Sequence, residues 1–243
     1  MTEPQSTDDL DRLRQEYAAR ASRLVGSDIY SHFNPAYLFA LQQLEISVLR
    51  VLRRHGFSVL EGRRILEVGC GKGGVLFKYL EYGATLSLLH GVDILGDDRL
   101  YLAHNRLPNA CITQADGQFL PYPDNTFDLV MQYTALSSIL DAAVKANVAS
   151  EMLRVVRSRG DGMILWYDFW LNPFNSQTHG IRPKEIKRLF PDCSFEFHQI
   201  TLAPPLTRRL VPISWLFCAF LEKLKFLNSH YLVVIKPNSI TSS

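Results

Sequence analysis

Long apolar runs are missing from this chain, and its few cysteines do not cluster. The longest apolar stretch, Leu210 to Leu221, contains Pro212 and falls short of the roughly 18 to 20 residues that a membrane-spanning helix needs. The four cysteines, Cys70, Cys111, Cys193 and Cys218, form no C-x-x-C pair and have no histidine at zinc-ligand spacing, so neither a disulfide framework nor a metal site is expected. The opening segment "MTEPQSTDDLDRLRQEY" lacks the basic-then-apolar order of a secretory signal, and a reducing cytoplasm is the expected setting. A strong net charge is missing too. With 26 Lys+Arg against 24 Asp+Glu the chain carries +2, which excludes a global field directed at nucleic acid. The balance is uneven, however, because residues 179–243 hold nine Lys/Arg against four Asp/Glu, and an anionic partner would meet that end.

What is present suits one α/β unit. A hydrophobic content of 47% over 243 residues is ample for a buried core. Helical periodicity marks 9–24 and 35–55, the second with Leu38, Leu41, Leu44, Val48 and Leu52 on one face. From Arg63 onward, short apolar runs alternate with helical patterns, and strands are predicted near 64–68, 88–92, 110–114, 127–132, 162–167, 194–202 and 231–236. Such alternation predicts a doubly wound, Rossmann-like, seven-stranded and mostly parallel sheet with its ligand at the carboxyl ends of the strands. The predicted organisation is an N-terminal helical cap at 1–58, a core at 59–203, a lid insertion at 204–229 and the last strand at 230–238. The insertion is too long for a hairpin loop, and its nearly all-round apolar character predicts burial over the acceptor.

The segment "RRILEVGCGKGGVLFKYL" carries the chemistry. Its glycines fit G-x-G-x-x-G through Gly69, Gly71 and Gly74, and E-x-G-x-G-x-G through Glu67, Gly69, Gly71 and Gly73. Asp93, ending "HGVD", accepts from ribose hydroxyls under either pattern. Glu67 discriminates, because a carboxylate there opposes a pyrophosphate and favours a ligand bearing an ammonium and a sulfonium. Asp116, in "QADGQF", is placed to accept from an adenine amino group while the Gly117 and Gln118 backbone approaches the ring.

From "ILEVGCGKG" through "GVDI", "QADGQFLPYPDNTFDLVM" and "SEMLRVVRSRGDGMILWYDF", the chain resembles the class I S-adenosylmethionine-dependent methyltransferases, in the branch with an "LPFPDxSFD" turn. The resemblance implies that Glu67, Gly69, Gly71 and Gly73 border the methionine part of the cofactor and that Asp93 holds the ribose. It also implies that Ile94 packs on adenine, Asp116 and Gly117 bind its edge, and Gln132 lies beside the methionine. Tyr17, on an N-terminal helix, is implied to reach over the cofactor. One departure is "VRSRGDG" where the family often has "LKPGG". Outside these blocks, "WYDFWLNPFN", "IRPKEIKRLFP", "LAPPLTRRL" and "HYLVVIKP" are similar to bacterial methyltransferases associated with glycan and secondary-metabolite gene clusters, implying a small-molecule or glycan acceptor.

An alcohol acceptor loses its proton during transfer, so a sugar or glycolipid-like substrate calls for a base. Asp168, at the end of "ILWYD", and His179, after the fifth strand, are the catalytic candidates. Nitrogen or carbon acceptors, and a non-catalytic cofactor-binding subunit, are the alternatives. Asp128, at a strand start, reads as structural, and Cys70 as a small packing residue. Residues 208–226, apolar with Arg208, Arg209, Lys223 and Lys225 at the flanks, also fit weak peripheral contact with the inner membrane face.

Overall fold

The computed structural model describes residues 6–96, 98–158, 162–171 and 178–238. Ser6–Arg23 (α1) and Pro35–Arg54 (α2) precede an alternating series: Ile65–Val68 (β1), Gly74–Glu81 (α3), Leu89–Asp93 (β2), Asp98–Arg106 (α4) and Cys111–Gln114 (β3). Leu129–Tyr133 (β4), Ala142–Val155 (α5), Met163–Phe169 (β5), Pro183–Leu189 (α6) and Cys193–Leu202 (β6) follow. Pro204–Leu210 (α7), Trp215–Lys223 (α8) and Asn228–Pro237 (β7) close the chain. The "VRSRGDG" turn lies partly outside the described residues, as does most of "WLNPFN".

Local rules explain where the helices begin. Asn34 caps α2, accepting from the amides of Ala36 and Tyr37 at 3.0 and 3.3 Å, and Pro35 occupies the first turn, where no amide hydrogen is needed. Asp141 caps α5 in the same way.

The seven strands lie in the order β3-β2-β1-β4-β5-β7-β6, parallel through β5, with β7 antiparallel to both of its neighbours. From β1 the chain winds outward to β2 and β3, then returns to β4 on the other side. This reversal leaves a crevice at the carboxyl ends of β1 and β4, where a doubly wound sheet holds its ligand.

Burial on both faces requires β1 and β4 to be apolar almost throughout, as they are. One face packs Val48 and Leu52 of α2, Leu76 and Tyr79 of α3 and Ala103 of α4 on Leu89, Met131 and Leu165. The other packs Val148 and Met152 of α5 with Ile186 and Phe190 on Leu66, Val130 and Trp166. Because α2 belongs to the first of these layers, it is part of the core and not of an N-terminal cap; α1 stands over the crevice.

The insertion also departs from expectation. α7 and α8 pack beside the N-terminal half of α2, where Ala36 and Phe39 meet Leu202, Val211 and Cys218. Trp215 sets its ring edge-on to Phe39 at 5.1 Å. No residue of 204–229 borders the cavity described below, so the segment is not its lid. Its apolar helix is not buried all round either: Leu216 and Phe220 are 82% and 57% exposed.

Candidate active site

The turn after β1 approaches its surroundings closely enough to require glycine twice over. At Gly69, with φ of 79°, a Cβ would stand 2.6 Å from that of Ala135; at Gly73, with φ of 69°, one would crowd Ala103 at 3.2 Å. Gly71 differs. Its φ of 50° is left-handed too, but a Cβ there would meet nothing within 4 Å, because the position opens into the cavity. Asp93 braces this turn: Oδ2 accepts from the Gly71 amide and Oδ1 from the Leu95 amide, both at 2.9 Å.

The cavity, about 810 Å³, lies over the crevice. Its floor and sides come from Val68, Gly69, Gly71 and Lys72, then Asp93 and Ile94, then Ala115 to Gln118, then Tyr133 to Leu136. Its roof is α1, through Leu13, Tyr17, Ala18 and Ala21, with Leu24 just past its end. Three contacts hold that roof in place. Arg12 donates to the Ser138 carbonyl at 2.7 Å, the Arg99 guanidinium lies 4.0 Å from the Tyr17 ring centre, and Arg20 donates to the Tyr30 hydroxyl at 2.8 Å.

Of the cofactor-binding candidates, Tyr17, Gly69, Gly71, Asp93, Ile94, Asp116 and Gly117 line this space, and Glu67, Gly73 and Gln132 stand behind its wall. Asp116 is held by Gln118, whose amide and side-chain nitrogen donate to its two oxygens at 2.9 and 3.1 Å. Gln132 is fully buried, and its Oε1 accepts from the amides of Ala135 and Leu136 at 3.0 and 3.4 Å. It therefore shapes the turn after β4 without touching the cavity. Glu67 is 2% exposed with Oε2 lacking a hydrogen-bond partner; burial, reinforced by the nearby Asp93 carboxylate, raises its carboxyl well above the ordinary range. The Asp93 carboxylate opposes a pyrophosphate at this turn, and a cationic ligand beside it would favour ionisation of the Glu67 carboxyl as well. Together with the open space at Gly71, the two groups fit the ammonium and sulfonium of S-adenosylmethionine.

The two catalytic candidates do not face the cavity. Strand alternation sends Asp168 to the α5 side of the sheet, where Oδ2 accepts from the Ser137 amide at 3.0 Å and Oδ1 from the Phe169 amide at 2.8 Å. Burial pushes its carboxyl up to about 6. It orders the Leu136–Ser138 turn. His179 joins that turn only through its backbone, donating to the Ser137 carbonyl at 2.8 Å, and is itself exposed outside the cavity. Asp128 is structural, accepting from the Arg64 amide at 2.8 Å and pairing with Arg157. Cys70 is buried packing whose thiol burial pushes far up.

Several lining residues carry no local signature. Tyr133 is half-buried at the end of β4, its hydroxyl 3.0 Å from that of Tyr79. Arg14, Arg20, Lys72 and Arg99 place four cations around the cavity, against Asp93, Asp98 and Asp116. Charge counting along the chain was blind to this grouping, since its members come from α1, the glycine turn and α4. Among the described residues, no three His, Cys, Asp or Glu side chains are grouped as metal ligands.

Comparison with known proteins bears on the same region. The family model described as "Methyltransferase domain" matches residues 65–160. The chain is 31% identical over 114 residues to the ubiquinone/menaquinone biosynthesis C-methyltransferase UbiE of Saccharophagus degradans, a match covering 44% of each chain. It is 38% identical over 74 residues to the fatty-acid O-methyltransferase of Mycolicibacterium smegmatis, covering 30% of this chain and 26% of that one. These matches thus span less than half the length of either relative. Among solved structures, the PH0226 protein of Pyrococcus horikoshii superimposes with a TM-score of 0.61 at 16% identity, over 89% of this chain and 99% of that one. That likeness establishes the fold.

Proposed function

We propose that this chain, whose residues 65–160 match the model of a methyltransferase domain, is a class I S-adenosylmethionine-dependent methyltransferase that methylates an amphiphilic small molecule at an acidic nucleophile: a carboxylate, or a phenol or enol whose own substituents acidify it enough to ionise near neutral pH. The observation that carries this reading is a cavity rich in apolar side chains, with cations at its border and neither base candidate facing it. S-adenosylmethionine supplies a methyl group activated by the positive sulfur. Gly69, Gly71, Asp93, Ile94, Asp116 and Gly117 are the residues proposed to hold it. Tyr17 and the rest of α1 keep water out, which aligns the reactants and strengthens every electrostatic contact inside.

A sugar hydroxyl, expected from the flanking segments, fits less well. It ionises far above neutral pH and calls for a base, while Asp168 is committed to the Ser137 and Phe169 amides and His179 points outside. An acidic acceptor needs no base, and Arg14, Arg20, Lys72 and Arg99 favour its charge. Of the relatives this chain resembles, one is named for ubiquinone and menaquinone biosynthesis and another for fatty-acid O-methylation, which supports this reading over a sugar acceptor.

Transfer of a labelled methyl group, measured across a panel of long-chain carboxylic acids, alkyl phenols with acidifying substituents and polyketide-like enols beside reducing sugars and glycolipids, tests the proposal. Turnover is expected in the first group, rising with apolar chain length. Turnover confined to the sugars would replace this acceptor class with the glycan one.

A further inference from the structure

The insertion between β6 and β7 presents an unpartnered apolar face of a regular kind. Leu216, Phe217 and Phe220 are 82%, 49% and 57% exposed, and their spacing sets them on one side of α8, while Ile213, 80% exposed, lies in the turn just before the helix. Phe226, 74% exposed, follows just past the helix. The opposite side is anchored, with Cys218 buried and Trp215 packed on Phe39, so the exposure does not come from a detached helix.

Charge identifies the occupant. Arg208, Arg209, Lys223 and Lys225 are all exposed around this face, and none makes an ion pair among the described residues. The only carboxylate within 204–227, Glu222, is turned inward, its Oε1 accepting from the Thr201 amide at 2.9 Å. A second copy of the chain would bring four cations against four, whereas a bilayer with anionic headgroups takes the apolar residues below its surface and the cations at it. We propose that α8 and its flanks are a docking surface for an anionic lipid bilayer. The register pairs Phe169 with His230 and Leu202 with Asn228, so the insertion leaves the sheet at the carboxyl end of β5, the end at which the cavity lies. Docking rests on this surface alone and not on the acceptor reading.

Sedimentation with phosphatidylcholine vesicles, with and without phosphatidylglycerol, tests it at low and high salt. Binding is expected to be about tenfold or more tighter to the anionic vesicles and to weaken at high salt. Leu216→Glu with Phe220→Glu, and separately Arg208→Glu with Arg209→Glu, are each expected to lower it by about tenfold without moving the melting temperature, because all four side chains are exposed. No binding to anionic vesicles overturns the proposal, as does binding that survives Leu216→Glu with Phe220→Glu. A lipid-indifferent dimer that this double variant makes monomeric would hand the face to a second copy.

Discussion

Single side chains in this protein are assigned by what already occupies their atoms. Asp93 braces the glycine turn through two backbone amides and lines the cavity, and a carboxylate has acceptor capacity beyond those two bonds. Its replacement by alanine is expected to weaken S-adenosylmethionine binding by about 1.5 to 3 kcal/mol, one to two decades in Kd, measured by calorimetry; an unchanged Kd would remove Asp93 from the cofactor site. Asp168, with both oxygens engaged by amides away from the cavity, gives the opposite expectation. Asp168→Asn is expected to keep kcat within about fivefold, whereas loss of a general base costs about a hundredfold or more. A third residue governs acid stability. His230 is buried in β7, its ring stacked 4.8 Å from Tyr167, and burial pushes its pKa down to about 3. Between that value and the ordinary histidine pKa the unfolded chain binds a proton that the folded one refuses, so stability is lost as pH falls through this window, by a few kcal/mol at its lower end. Asp168 works the other way, contributing stability at low pH that disappears as pH rises through about 6. His230→Phe is expected to lose less urea resistance than the parent between pH 7 and pH 4; an equal loss would place the acid-sensitive group elsewhere.

Among the elements, α1 and α8 exchange the roles that composition suggests. α1 is polar and strongly charged, yet it roofs the cavity, because Leu13, Tyr17 and Ala21 face inward and Arg12 ties it to the Leu136–Ser138 turn. α8 is apolar, yet lies outside, since α2 offers a surface wide enough for only one of its sides. The Tyr17–Arg99 contact, at 4.0 Å, is of a kind worth about 0.5 to 1 kcal/mol at an exposed position. Tyr17→Ala is expected to raise the KM for cofactor about two- to fivefold and leave the melting temperature in place, because the residue closes a cavity and supports no core cluster. Steady-state kinetics decide this, and a large drop in melting temperature with unchanged KM would make Tyr17 mere packing.

The whole molecule couples its ligand to its stability. The proposed cofactor residues come from the ends of three strands and from α1, so a bound ligand links parts that otherwise separate on unfolding. At a concentration of 100 Kd, S-adenosylmethionine is expected to stabilise the fold by about 2.7 kcal/mol. For a chain of this size that corresponds to a rise in Tm of roughly 5 to 10 °C. NAD is expected to give none, since its pyrophosphate would lie against the Asp93 carboxylate that braces the turn. Equal shifts with both would undo the choice between the two glycine patterns.

The order of strands and helices, the glycine turn and the acids at the ends of β2 and β3 were legible along the chain, because each depends on residues a few positions apart: periodicity, a missing Cβ, a carboxylate at a strand's end. The facing of Asp168 and His179 was not. It is settled by the Ser137 backbone, 31 residues before Asp168 in the chain, which claims one with an amide and the other's backbone with a carbonyl. Gln132 likewise reads as a cavity residue until the turn after β4 folds back on it. The outward face of α8 was the least readable of all. Its sequence is apolar nearly all round, and which side is buried depends on how much surface Phe39 and Ala36 of α2 leave open. Local sequence determines conformation and the chemistry available at each position, while burial and direction arise from contacts between distant segments, which only the packed tertiary structure supplies.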